Sequence, residues 1–193
     1  MGLMLFDQLC FMDSRVQEVI DLFTQKGHSL YGGEDVTQLE HGLQAATFAR
    51  RAGASADQVS AALLHDIGHL LHELPDDAPD QGIDDVHESL GARYLETHFN
   101  SAVSEMVRLH VAAKRYLCRV DADYMRQLSE PSLQSLALQG GPMTVEEALA
   151  FEQAPYFKEA VQLRRWDEEA KDPALETEGI ESFIPELSIS LKG

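Results

Sequence analysis

Apolar residues recur at intervals of three and four along most of this 193-residue chain, and turn residues punctuate the runs. After the N-cap pair Asp13-Ser14, the residues Val16, Val19, Ile20, Leu22 and Phe23 share one face, which predicts a helix ending near Lys26-Gly27. His28 to Asp35, with Gly32-Gly33 inside it, reads as a loop. Asp35 with Gln38 has capping-box spacing and is expected to open a second helix, with Leu39, Leu43, Ala46 and Phe48 or Ala49 buried and His41 on or beside that stripe. Ser55 with Gln58 opens a third, running into Leu63-Leu64-His65-Asp66-Ile67-Gly68-His69.

The acidic, proline-containing stretch 73 to 85 is expected to be a surface loop. A helix follows from about Val86 to Phe99 with His87 in its first turn, then another from Asn100-Ser101 carrying Val103, Met106, Val107, His110 and Val111. Residues 121 to 138 read as two short helices split at Glu130-Pro131. Gly140-Gly141-Pro142 breaks the chain, Thr144 with Glu147 caps the next helix, and Pro155 ends it. A last long helix carries Phe157, Val161, Leu163 and Trp166, and the tail after Asp172 has the least pattern. There is no period-two run flanked by hairpin turns and no internal repeat. The expected fold is all-α, a single domain over 1–193 with its core at about 14–171.

A net charge of −18 repels a phosphate backbone, so nucleic acid is excluded as a partner class. No apolar run approaches the roughly 20 residues of a membrane span, and Met1 to Phe6 lacks the basic start of a signal peptide. Cys10 and Cys118 share no metal or redox spacing, which suits a reducing cytoplasm. In so acidic a chain the local cations stand out: Lys114, Arg115 and Arg119 follow His110, and Arg164-Arg165 precede Asp167.

Four of the eight histidines, His41, His65, His87 and His110, fall in apolar helical stripes. One such histidine is ordinarily a hydrogen-bonded core residue. Four of them, with Asp66 and Asp167, are hard to satisfy singly in a small domain, because buried imidazoles and carboxylates either pair or bind metal. His65-Asp66 could instead be a helix end favoured by the dipole and stopped by Gly68. Lys114 lies four residues from His110 and Arg164 three from Asp167, so each cation shares a helical face with a candidate ligand. Two cations beside a metal pair suit a small dianion such as phosphonate.

The ordered set His41, His65-Asp66, His87, His110, Asp167 resembles the HD-domain metalloproteins over nearly the whole chain. Many HD phosphodiesterases carry Lys where His69 stands. That departure, with Tyr31-Gly32-Gly33-Glu34, the segment His110 to Tyr116, Arg164 to Asp167 and Gln139-Gly140-Gly141-Pro142-Met143, is similar to the mixed-valent di-iron oxygenases of phosphonate breakdown.

The resemblance implies that His41, His65, Asp66 and Asp167 hold a first iron. His87 and His110 hold a second, with Asp66 bridging the Fe(II)/Fe(III) pair. It further implies that His69, Lys114, Ser132 and Arg164 hold the phosphonate, that Glu34 faces a positively charged substrate nitrogen, and that Tyr31 covers or ligates the open iron position. Tyr31, Glu34 and His69 would then serve catalysis. The implied reaction uses O₂ to take hydrogen from C1 and cleave the C–P bond of a 1-hydroxy-2-(amino or trimethylammonio)ethylphosphonate, giving phosphate and glycine or glycine betaine. A small zwitterion is thus the expected partner. The rival readings are an HD phosphohydrolase of a nucleotide or phosphate ester, a metal-free scaffold, and an oxygenase of an inositol-like polyol.

Overall fold

A computed structural model describes residues 12–72 and 86–193. The stretch 73 to 85, expected to be a loop, and Cys10 lie outside the described residues. The regular elements are helices: α1 (Ser14–Lys26), α2 (Gln38–Arg51), α3 (Ala56–Leu64), α4 (His87–Leu95), α5 (Ser101–Val120), α6 (Ala122–Gln127), α7 (Glu130–Leu138), α8 (Val145–Phe151), α9 (Phe157–Glu169) and α10 (Ile184–Ile189). Among the described residues two 3-10 turns, Ile67–Leu70 and Ile180–Phe183, join them. Among the described residues extended structure is limited to two isolated bridges, Leu30 with Thr37 and Phe99 with Leu191. The chain is all-α.

Helix α5 is the axis of the bundle, packed on α9, α4 and α3, while α2 packs on α3 and α9. Its inner face buries Val103, Met106, Val107, Leu109, His110, Ala113, Lys114 and Leu117, so one stripe passes from hydrocarbon to chemistry without leaving the core. Gly42 makes the α2–α3 contact possible, since a Cβ there would lie 2.7 Å from the Leu63 carbonyl oxygen.

Local details depart from the periodic reading. The capping box of α2 is Thr37 with Glu40, not Asp35 with Gln38: the Glu40 carboxylate accepts the Thr37 N–H at 2.8 Å. Val36 is buried just ahead of it, which holds the chain extended and leaves Asp35 in the exposed turn. The break before α7 falls at Leu128-Ser129, with Ser129 as N-cap and Pro131 in the first turn, where its missing N–H costs nothing. The helix expected from Val86 to Phe99 is regular only to Leu95.

The tail joins the core. Phe183 and Leu187 are fully buried, and the Arg50 guanidinium lies 3.9 Å over the Phe183 ring while donating to Glu186 at 2.8 Å and to the Ser182 carbonyl at 2.9 Å. Among the described residues no helix is long and apolar enough to cross a membrane.

Candidate metal centre

Helix α3 ends at Leu64, and the backbone unwinds through His65 and Asp66 into the 3-10 turn. His65 and His69 therefore do not share a helical face, contrary to their i, i+4 spacing. The unwinding instead carries Asp66 toward α5 and lets Gly68 touch the first turn of α4. A Cβ on Gly68 would lie 2.0 Å from the His87 carbonyl oxygen, so only glycine allows His87 to come this close. His69 ends stacked on the His87 ring, with centroids 4.0 Å apart.

The six residues expected as ligands converge in two groups that share Asp66. On one side, Nε2 of His41 and Nε2 of His65 stand 3.0 Å apart. Asp66 Oδ2 lies 3.5 Å from the first and 3.4 Å from the second, and Asp167 Oδ1 at 3.4 and 3.7 Å. On the other side, Nε2 of His87 and of His110 are 3.2 Å apart, each 3.3 Å from Asp66 Oδ1. One carboxylate thus sends one oxygen to each group, and His69 lies near enough to Asp66 and His87 to belong to the second.

The Nδ1 side of three rings is fixed. Nδ1–H of His41 donates to the Ala170 carbonyl at 2.7 Å, His65 to Ala62 at 2.8 Å and His110 to Val107 at 2.7 Å. Each bond selects the tautomer whose Nε2 carries a lone pair. Lone pairs facing one another at 3.0 Å, flanked by buried carboxylates, repel unless positive charge lies between them.

The electrostatics agree. Burial alone would push the Asp66 carboxyl up, but the imidazoles of His65, His110 and His41 hold it well below the usual carboxylate range. Burial opposes ionisation of Asp167 too and is overcome by Arg164 and His65. Burial lowers the His65 imidazole, yet Asp66 and Asp167 raise it well above the ordinary histidine range, so the cluster attracts positive charge. Asp167 Oδ1 is buried with no hydrogen-bond donor among the described residues and is aimed at the His41–His65 gap. Imidazole nitrogen and carboxylate oxygen are a donor set for iron, manganese or zinc, and the residues present fit a pair of such ions.

Beside this cluster lies a cavity of about 100 Å³, lined among others by Tyr31, Glu34, Asp66, His69, Lys114, Ser132 and Arg164. Every residue expected to hold substrate is therefore on its wall. Lys114 is buried and donates to Ser135 at 2.9 Å. Burial, reinforced by the charge of Arg164, brings its ammonium down to about 7. Among the described residues no carboxylate pairs with it.

Arg164 is committed differently from expectation. Its Nε donates to the Tyr124 hydroxyl at 2.7 Å, and its two terminal nitrogens donate to Asp167 and Glu168. Three of its five N–H groups are thus used, leaving one on each terminal nitrogen for a ligand. Tyr31 stacks on the His41 ring with centroids 3.7 Å apart and 12° between planes. Its hydroxyl is pushed well above the usual phenol range by burial and by Asp167 and Asp66.

Sequence reasoning missed Tyr124, Ser129, Ser135, Glu168 and Lys171, which fix the named residues in place. Ser135 lies three residues past Ser132, and Glu168 lies four past Arg164, a helical signal that was there to use. Arg115 donates to the Gly141 carbonyl at 2.9 Å and to Glu147 at 2.9 Å. The Gln139 to Met143 motif thereby docks α8 on α5.

The HD domain profile matches residues 38–152. A hydroxymethylphosphonate dioxygenase of Gimesia maris is 45% identical over 179 residues, covering 92% of this chain and 89% of its own length. A [1-hydroxy-2-(trimethylamino)ethyl]phosphonate dioxygenase (glycine-betaine-forming) of Leisingera caerulea is 43% identical over 170 residues, covering 88% and 87%. A metal-dependent phosphohydrolase of Cordyceps militaris is 45% identical over 64 residues, 32% of this chain and 19% of its own length.

Proposed function

The chain belongs to the HD-domain family, among its phosphonate dioxygenases, and from that premise we propose that it uses O₂ to cleave the carbon–phosphorus bond of a small 1-hydroxyphosphonate. The metal is an iron pair, Fe(II)/Fe(III), with His41, His65, Asp66 and Asp167 at one ion and Asp66, His87 and His110 at the other. When bound, it supplies activation of O₂ and withdrawal of hydrogen from C1. With 1-hydroxy-2-aminoethylphosphonate, substrate plus O₂ balances as glycine plus phosphate. The trimethylammonio counterpart would give glycine betaine.

Lys114 carries the reading. A buried ammonium with no carboxylate partner among the described residues, facing a cavity that ends on the bridging Asp66, is arranged for an anion that arrives and leaves. Lys114 and the two remaining N–H groups of Arg164 hold the phosphonate oxygens, with Ser132 and His69 completing the enclosure. In this reading His69 bonds those oxygens, and its stacking on His87 fixes its ring. Tyr31 covers the His41 face of the first metal group, which excludes water there and limits O₂ activation when no substrate is held. Gly32 and Gly33, at φ +47 and +87, give the loop carrying Tyr31 a backbone that can rearrange.

A phosphohydrolase would hold its metal with the same residues, and the metal would activate water in place of O₂. The two separate on oxygen. Iron-loaded protein given 1-hydroxyphosphonates releases phosphate only when O₂ is present and consumes O₂ alongside. Anaerobic turnover of a phosphodiester, or phosphate release from 2-aminoethylphosphonate lacking the C1 hydroxyl, would overturn the proposal.

A further inference from the structure

Glu34 was expected to meet a cationic nitrogen of the substrate, and it already meets a cation of the protein. Its Oε1 accepts from the Ser129 hydroxyl at 2.5 Å and lies 3.4 Å from the Lys171 ammonium. Lys171 is 10% exposed and fully engaged: it donates to Ser132 Oγ at 2.8 Å, Ser129 Oγ at 3.2 Å and Glu168 Oε1 at 2.8 Å. Glu168 turns its other oxygen to Arg164. A continuous chain of charges therefore runs from the phosphonate end of the cavity, through Arg164, Glu168 and Lys171, to Glu34 at its rim. Backbone geometry holds that rim in place: Tyr31 N–H donates to Val36 at 2.8 Å, Glu34 N–H to Tyr31 at 2.7 Å, and Gly33 packs against Pro131 at the start of α7.

We propose that Lys171 is a specificity-determining residue that discriminates among 1-hydroxyphosphonates by occupying the carboxylate a cationic substituent would need. A substrate whose C1 substituent is uncharged leaves the Lys171–Glu34 pair intact. A substrate bearing an ammonium must displace Lys171 from Glu34, leaving the lysine with Glu168 and the two serine hydroxyls. The nitrogen contact is thus an exchange of one cation for another at Glu34, and its net value is small for a partly exposed pair. The inference rests on the function proposed above and adds the residue that ranks its substrates.

The test compares hydroxymethylphosphonate with 1-hydroxy-2-aminoethylphosphonate on the iron-loaded protein. Both share the phosphonate and the C1 hydroxyl, so the ratio of their kcat/KM values cancels whatever a variant does to anion binding, folding or metal content. In Lys171→Gln, which keeps a donor for the serines but removes the charge, the ratio shifts toward the aminated substrate by about twofold to fivefold. Lys171→Met, made in parallel in case one variant folds poorly, shifts it the same way. Lys171→Arg keeps the wild-type ratio. A ratio unchanged in both neutral variants, or a shift toward hydroxymethylphosphonate, overturns the inference while wild-type turnover still supports the function. If the wild type turns over neither substrate with O₂, both fall.

Discussion

The metal cluster and the rim of the cavity beside it are built on opposite plans. In the cluster, His41, His65 and Asp167 are fully buried, and three imidazoles are fixed by backbone carbonyls of helices or helix ends. At the rim, Tyr31, Glu34 and Lys171 are partly exposed; the loop keeps only local backbone bonds across a glycine turn, and its charged groups are held by side-chain contacts. Backbone carbonyls of packed helices shift only when the core shifts, whereas a salt-bridged loop can trade partners at little cost. On the function proposed, the difference divides the work: the cluster would hold metal in one geometry, and the rim would exchange contacts as substrates come and go.

The contrast breaks most visibly at Asp66. Asp66→Asn keeps the shape of the shared carboxylate but not its charge. Iron content is expected to fall below two per chain and turnover by at least roughly a hundredfold, more than the loss typical of residues one contact removed from a metal. Iron analysis and phosphate release check this, and retention of both ions with turnover would join cluster and rim into one tolerant site.

Lys114 lies between the two regimes, and its removal is expected to act in opposite directions on binding and stability. Lys114→Met should raise KM by about 30-fold or more, the cost of about 2 kcal/mol or above for losing one member of a buried charge pair with the ligand. The same change removes a buried cation that has no carboxylate partner among the described residues, so the melting temperature should rise. With the ammonium brought to about 7 by burial, the ligand-free protein holds a charged Lys114 below that pH and a neutral one above it. Binding a dianion favours the charged form, so above pH about 7 it takes up a proton and KM climbs by up to about tenfold per unit. In Lys114→Arg the charge persists throughout, and this rise should flatten. A KM that falls with rising pH in the wild type alone would place the titrating group elsewhere.

The smallest effect belongs to the rim. Ser129→Ala removes the 2.5 Å contact to Glu34 and the N-cap of α7. KM should change only severalfold, with about 1 kcal/mol of stability lost and iron content unchanged. Loss of iron in this variant would show that rim and cluster are not separable.

The same division explains what could be read from sequence. Helices and most caps were legible because periodicity and capping are local. Ser55 with Gln58 and Thr144 with Glu147 form the expected boxes. All six cluster residues were legible as types and in order, since His and Asp in apolar stripes have few other uses. How His65-Asp66 reaches α4 was not, because the unwinding after Leu64 depends on Gly68 meeting the His87 carbonyl, a contact between residues 19 apart. The commitment of Arg164 to Tyr124, and of Lys171 to Glu34, depends on where α6, α7 and α9 end in space. No periodicity encodes that. The tail illustrates the same limit: residues without a clear pattern proved to carry Phe183 and Leu187 into the core.

The central claim is that one carboxylate, Asp66, lies between two iron ions. Iron counted per chain after anaerobic reconstitution, with each ion located by anomalous scattering from crystals, tests it most directly. The account predicts two ions, one among His41, His65 and Asp167 and one beside His87 and His110, each on a different Asp66 oxygen. A single ion per chain, or a pair that does not share Asp66, would contradict it.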